Sequence, residues 1–324
     1  METLTGTDID KAQALLEQGC LVAIPTETVY GLAANALDPE AVLKIFEAKQ
    51  RPQFNPLIVH ISDWAEAEHY VSHIPATAQL LAKAFTPGPL TFLLPKKDII
   101  PDIITSGSSL VALRVPAHPV CRALLGRLSF PLAAPSANEF GYISPTLAAH
   151  VQQSLDGKVA YILDGGAATV GLESTIIGFD ESEEVIVYRV GGLGIEQLEA
   201  FLGKKVRFPV RTQEQAPLTS GQLKSHYAPH TALYTGDISD LANQFPGKKI
   251  ASISFSNTYP LEHVQQFVLS PAGSLTEAAG NLFRVMREID ALQADIILAE
   301  IFPDEGLGRA INDRLNRARA VFKP

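Results

Sequence analysis

Apolar positions along the chain follow two rhythms, short runs that suit strands and three-to-four-residue spacings that suit helices. Residues 8–18 keep the helical rhythm, with Ile9, Ala12, Leu15 and Leu16 inward and Gly19 as the stop. The apolar run 21–24 ends in Pro25, as a strand closing on a polar loop does. Thr26, Glu27 and Thr28 give that loop two hydroxyls and a carboxylate, and Tyr30-Gly31 turns the chain. Asp38 as N-cap and Pro39 in the first turn open a helix whose apolar face is Val42, Ile45 and Phe46. It has to stop short of Pro52 in Lys49-Gln50-Arg51-Pro52. Residues 56–61 read as a buried strand, because their apolar side chains do not alternate cleanly. Strand, polar loop, helix, two cations and a second strand point to a ligand site at strand ends, where open α/β sheets bind.

Further along, the spacing predicts helices over 63–71 and 75–85, the second with Leu80, Leu81 and Phe85 on one side. A Pro-Gly turn and short strand follow over 86–95, and 110–116 reads as a strand with Arg114 on the face of Leu110 and Ala112. Residues 131–138 run from an apolar strand into Ser136-Ala137-Asn138, and 161–179 read as two strands around the Gly165-Gly166 loop. A short helix over 195–202 leads to a polar linker over 209–219. Strands near 231–235, 249–255, 265–269 and 295–301 then alternate with helices. Ser274 and Glu277 form a capping box before a long helix with Leu282, Val285, Met286, Ile289 and Leu292 inward. A final helix, about 308–320, carries Arg309, Arg314, Arg317 and Arg319, which read as a basic solvated face. This last unit looks Rossmann-like but lacks GxGxxG, so no cofactor is expected there.

Composition narrows the classes. At 324 residues the chain exceeds the usual single core, which predicts two domains. With 46% hydrophobic and 19% charged residues it is globular rather than disordered. A net charge of -9 argues against nonspecific nucleic-acid binding, while leaving room for a local basic cavity. Cys20 and Cys121 are too few for a disulfide framework or a thiolate zinc site. Neither a secretory signal nor an apolar run of membrane-spanning length is apparent, so a cytoplasmic location is expected.

Several residues admit two readings on pattern alone. Lys49 and Arg51 are either cations favoured by a helix C-terminus or a phosphate clamp, point charge and bidentate fork. His60, inside an apolar strand, is either a satisfied core histidine or a ligand. Arg114 needs a partner or a ligand, since unpaired burial of its charge is costly. On pattern alone Ser136-Ala137-Asn138 reads as an ordinary turn or helix cap rather than a site. Gly165-Gly166 is a weak phosphate signal, and GxxxxGK[ST] is absent. His226 and His230 read as surface histidines, for two histidines make no metal site.

PTETVYGL, KxRP and NPLIVHI, at their spacings within residues 25–61, resemble the YrdC-domain family of threonylcarbamoyl-adenylate synthases. The resemblance runs through almost the whole chain and is to the long, two-domain form, the Sua-five type. It implies an α/β fold: a YrdC-like twisted open sheet around a concave, locally basic cavity (1–208), a linker crossing that cavity (209–230), and a smaller Rossmann-like domain (231–324). It implies a nucleotidyltransferase that condenses L-threonine, bicarbonate or CO2, and ATP into threonylcarbamoyl-AMP and pyrophosphate, with Mg2+ accompanying ATP. The product would pass to a complex that modifies the adenosine beside the anticodon of certain tRNAs. By this resemblance Thr26, His60, Arg114, Ala134 and Ser174 hold threonine. Lys49 and Arg51 act on the phosphates, and Asn55, Ser136, Asn138, Ser144, Arg189 and Tyr227 complete the nucleotide site. Metal-coordinating groups stay unassigned. Leu110 stands where the family often has threonine; Ser220 and Gln222 replace a usual proline and methionine in the linker. Two other readings stay open, a carbamoyl-adenylate or carbamoyltransferase enzyme and a non-catalytic RNA-binding module.

Overall fold

The computed structural model describes residues 2–209, 219 and 226–319, whose strands form two sheets. The first contains β1 (Leu4–Gly6), β2 (Val22–Ile24), β3 (Gly31–Asn35), β4 (Ile58–His60), β5 (Leu90–Pro95), β6 (Leu110–Arg114), β7 (Leu132–Ala133), β8 (Tyr161–Leu163), β9 (Thr175–Phe179) and β10 (Val185–Arg189). Its order is β1-β8-β2-β3-β7-β4-β6-β5-β9-β10, with parallel and antiparallel pairs mixed. The second contains β11 (Ala232–Thr235), β12 (Ile250–Ser254), β13 (Val264–Val268) and β14 (Ile296–Ala299), all parallel, in the order β11-β14-β12-β13. The architecture is the α/β one expected, with a parallel second unit.

Local chemistry explains the elements nearest the site. Asp38 caps the helix Pro39–Lys49 by accepting from the Glu40 and Ala41 amides, and Ala41, Val42, Ile45 and Phe46 are buried on the sheet. The helix ends at Gln50, which adopts a left-handed conformation at φ 52° and swings Arg51 inward. All three residues of β4 are buried.

Some expectations need correction. Gly31 does not turn the chain; it opens β3, which pairs antiparallel with β2 and makes the 25–30 loop a hairpin connection. A Cβ at Gly31 would lie 3.1 Å from the Ala134 Cβ, so the glycine permits a close strand approach. Leu80 points to solvent at 59% exposure, while Ala78, Leu81 and Ala82 form the buried stripe. The capping box is half made. Ser274 caps the amide of Glu277, but the Glu277 carboxylate turns to the Ser270 hydroxyl at 2.5 Å.

The C-terminal helix Gly306–Ala318 overturns a larger expectation. Arg314 is fully buried on the stripe with Ile311, Leu315 and Ala318, not on a solvated face. Arg287, from the helix Leu275–Ala291, also bridges the units, donating to the Ile143 carbonyl at 2.5 Å and the Ser154 hydroxyl at 3.2 Å. Its guanidinium lies 4.8 Å from the Tyr142 ring centre.

Candidate active site

The register of the first sheet sets His60 of β4, Arg114 of β6 and Thr91 of β5 abreast. His60 and Arg114 head a cavity walled also by Thr26, Thr28, Ala134, Ser136, Glu173, Ser174, Arg189, Arg51, His226 and Tyr227. Arg114 has the partner its burial demands. It donates to Glu27 Oε1 at 2.7 Å and to the Thr28 hydroxyl at 2.9 Å, and Glu27 Oε2 accepts the Ala117 amide at 3.0 Å. Thr26 ties the same loop, its hydroxyl donating to the Val29 carbonyl at 2.6 Å. Ser174 meets Thr91 hydroxyl to hydroxyl at 2.7 Å. Burial, and then the Arg114 charge, push His60 down to about 3, so its imidazole is neutral. Its Nδ1 is buried without a hydrogen-bond partner. A neutral ring with an open nitrogen can meet a hydroxyl or an amine.

Two further arginines, Arg51 and Arg189, line the same cavity. Arg51 lines the cavity, braced by bonds to the carbonyls of Asn55 (3.1 Å) and Pro56 (3.0 Å). Burial lowers it to about 9, which leaves it charged at neutral pH. Lys49 is not at a solvated helix end. Only 1% exposed, it hydrogen-bonds the carbonyls of Ser136, at 2.5 Å, and Asn138. Its stem therefore runs behind the Ser136 loop, and Lys49 itself is not among the cavity-lining residues. Asn55 is fully buried with both amide atoms unpartnered, and Asn138 has an unpartnered Oδ1 while its amide donates to the Glu139 and Tyr142 carbonyls. Arg189 grips the Ser174 carbonyl through Nε at 3.1 Å and Nη2 at 2.9 Å. Ser144 is not among the cavity-lining residues; its hydroxyl donates to Glu173, which is, at 2.6 Å. The Gly165 and Gly166 amides are taken by the Tyr30 hydroxyl and Asp164, which removes the suggested phosphate cradle.

Of the linker, residues 210–218 and 220–225 lie outside the described residues, but His226 and Tyr227 reach the cavity wall. His226 is no surface histidine; it is 5% exposed, and burial and then Arg51 hold it well below its ordinary value. His230 does sit at the surface, bonded to Asp290 at 2.9 Å. Tyr227 stacks on Phe283 with ring centres 5.6 Å apart. Glu173, His226 and Arg314 were missed as site residues. The sequence did mark the first two, within EST and HY, whereas nothing in the arginine-rich helix singles out Arg314. Among the described residues no group of three or more histidines, cysteines, aspartates or glutamates converges as a metal site. Nor, among them, is any helix long and apolar enough to cross a membrane.

The comparisons with known proteins divide the chain as the sheets do. The Sua5_yciO_yrdC family profile, described as "Telomere recombination", matches residues 14–191. The profile "Threonylcarbamoyl-AMP synthase, C-terminal domain" matches residues 193–320. The chain belongs to the two-domain threonylcarbamoyl-AMP synthase family. Family members named threonylcarbamoyl-AMP synthase include one from Pyrococcus abyssi, 41% identical over 95% of this chain and 92% of its own. Another from Bacillus subtilis is 39% identical over 96% and 92%. A crystal structure of P. abyssi Sua5 complexed with L-threonine superposes with a TM-score of 0.89 at 38% identity, covering 98% of this chain and 97% of that one. A full-length HypF structure has a TM-score of 0.51 at 21% identity, over 58% of this chain and 30% of its own, a likeness of fold alone.

Proposed function

We propose that this chain is an L-threonylcarbamoyladenylate synthase, a nucleotidyltransferase acting on ATP, L-threonine and bicarbonate or CO2. The supporting observation is one cavity lined by two chemically distinct sets of residues. The row His60–Arg114–Thr91, with Thr26, Ala134 and Ser174 beside it, suits a small zwitterion bearing a hydroxyl. Arg51 and Arg189, with Lys49, Asn55, Ser136, Asn138 and Tyr227 behind or beside them, suit a polyphosphate nucleotide; Ser144 would act through Glu173. Full-length similarity to a structure holding L-threonine supports the same assignment.

In this reading the threonine amine adds to CO2 and loses a proton, giving a carbamate. A carbamate oxygen then attacks the α-phosphorus in line; the new P–O bond forms as the α–β bridging bond breaks, and pyrophosphate leaves with the electron pair. No protein nucleophile is needed, only alignment and neutralisation of charge. Arg51 and Arg189 would meet the negative oxygens. Glu27 and Glu173 are committed to arginines, so the cavity does not fit a resident metal. Mg2+ is accordingly assigned to the substrate, arriving on the ATP phosphates. The product's anhydride is an activated acyl donor, which suits onward transfer to tRNA by a partner complex in the cytoplasm. Pyrophosphate release should require ATP, bicarbonate and L-threonine together. Equal release without threonine would overturn the reading, as would carbamoyl phosphate serving in place of bicarbonate and threonine.

A further inference from the structure

The C-terminal helix contributes a residue to the cavity wall of the other unit. Arg314 Nε donates to Glu173 Oε2 at 2.8 Å, and Nη1 donates to the Val190 carbonyl at 2.9 Å and to Asp313 at 2.8 Å. Its guanidinium carbon lies 5.2 Å from the centre of the Tyr227 ring. Apart from that to Asp313, each contact leads into the site within one residue. Glu173 precedes Ser174, Val190 follows Arg189, and Tyr227 is itself part of the wall. The other Glu173 oxygen accepts from Ser144 at 2.6 Å, so the arginine also fixes that loop. Burial alone would raise the Glu173 carboxyl, but Arg314 and Arg189 bring it below its ordinary value, which keeps it an anion. A fully buried arginine at a core position of a helix is costly unless its partners are in place; Nε and Nη1 have theirs, while Nη2 is buried without one. Here the partners are three separate pieces of one active-site wall.

We propose that Arg314 is a positioning residue for the reaction: it locks the Ser174 loop, the Arg189 strand end and Tyr227 into one geometry, so the site is incomplete without the C-terminal domain. This rests on the synthase reading above.

The test compares full-length wild type, Arg314→Gln, Arg314→Lys and Arg309→Gln for pyrophosphate release and for ATP binding by calorimetry. Arg309 makes another bridge between the units, to Glu196 at 3.1 Å, and neither residue lines the cavity. Arg314→Gln should lower kcat/KM by about 10²-fold, as sub-ångström misplacement does, with the KM for ATP raised and ATP affinity weakened in parallel. Arg314→Lys keeps the charge on Glu173 and should recover part of the binding but less of kcat. Arg309→Gln should match wild type. If Arg314→Gln does not fold, Arg314→Lys carries the test alone, with the same split of KM and kcat. Wild-type kinetics in a folded Arg314 variant would overturn the proposal, and so would an equal loss in Arg309→Gln, which would make both arginines mere domain staples. No activity in wild type would instead overturn the synthase reading.

Discussion

L-Valine in place of L-threonine should lower kcat/KM by about 10⁴-fold, the discrimination expected when a site built to hydrogen-bond a hydroxyl receives an analogue without it. The two amino acids have nearly the same shape, so packing cannot separate them; only unpaired polar atoms can. The cavity wall supplies one: His60 Nδ1 is buried and unpartnered, while the Thr26, Thr28 and Ser174 hydroxyls of the same cavity are paired within the protein and would exchange those partners for the substrate hydroxyl. A methyl group placed there leaves the imidazole nitrogen unsatisfied, and such a group costs about 1–3 kcal/mol. L-Serine, which keeps the hydroxyl but loses the methyl, should fall between them. Because His60 titrates at about 3, its ring stays neutral and the discrimination should not change between pH 6 and pH 8. Comparable turnover of valine and threonine by pyrophosphate release would remove the polar-pocket assignment.

Much of the site was legible because its chemistry is local in sequence. The Pro25–Ile61 stretch holds the hairpin loop, the capped helix, both cations and the His60 strand, each with its own signal of cap, proline or apolar run. What escaped depends on long-range pairing. β3 reads Gly-Leu-Ala-Ala-Asn, residues with little strand preference, and becomes a strand only because β2 and β7 lie on either side. The Arg314 burial is equally invisible, since its counter-charge Glu173 is 141 positions away and in the other unit. An arginine on an amphipathic helix defaults to solvent unless such a partner is known. His226 fails for the same reason: its burial comes from residues supplied by both units, including the Phe140 ring 5.9 Å away. Most of the residues named by family resemblance do line one cavity, but the resemblance could not say that Lys49 would stand behind the wall rather than in it.

That position of Lys49 sharpens the second large effect. Lys49→Met should lower turnover by about 10²-fold or more, the usual loss when a stabiliser of transition-state charge is removed. Two of the three ammonium protons are spent on the Ser136 and Asn138 carbonyls, which leaves one for a phosphate oxygen and makes the side chain a brace as well as a charge. No carboxylate of the described residues lies within ion-pair distance of it. Burial, and then the Arg51 and Arg287 charges, hold its pKa well below the ordinary 10.5. The charged form is therefore the one that folding disfavours. A group with a depressed folded pKa contributes its stability above the unfolded value and loses it as pH falls through the folded one. Wild type should accordingly gain stability relative to Lys49→Met as pH rises toward 10.5, with the variant at its greatest advantage at lower pH. Methionine keeps the volume and removes the buried charge, while unpairing the two carbonyls offsets part of that gain. Denaturant melts of both proteins at several pH values give the trend directly, and steady-state pyrophosphate release gives the turnover. A normal rate with the pH trend intact would reduce Lys49 to a brace for the Ser136 loop. A lost rate without the trend would mean the lysine is better solvated than its 1% exposure implies. Only both together make it a cation held in an unfavourable setting, one that an incoming phosphate relieves.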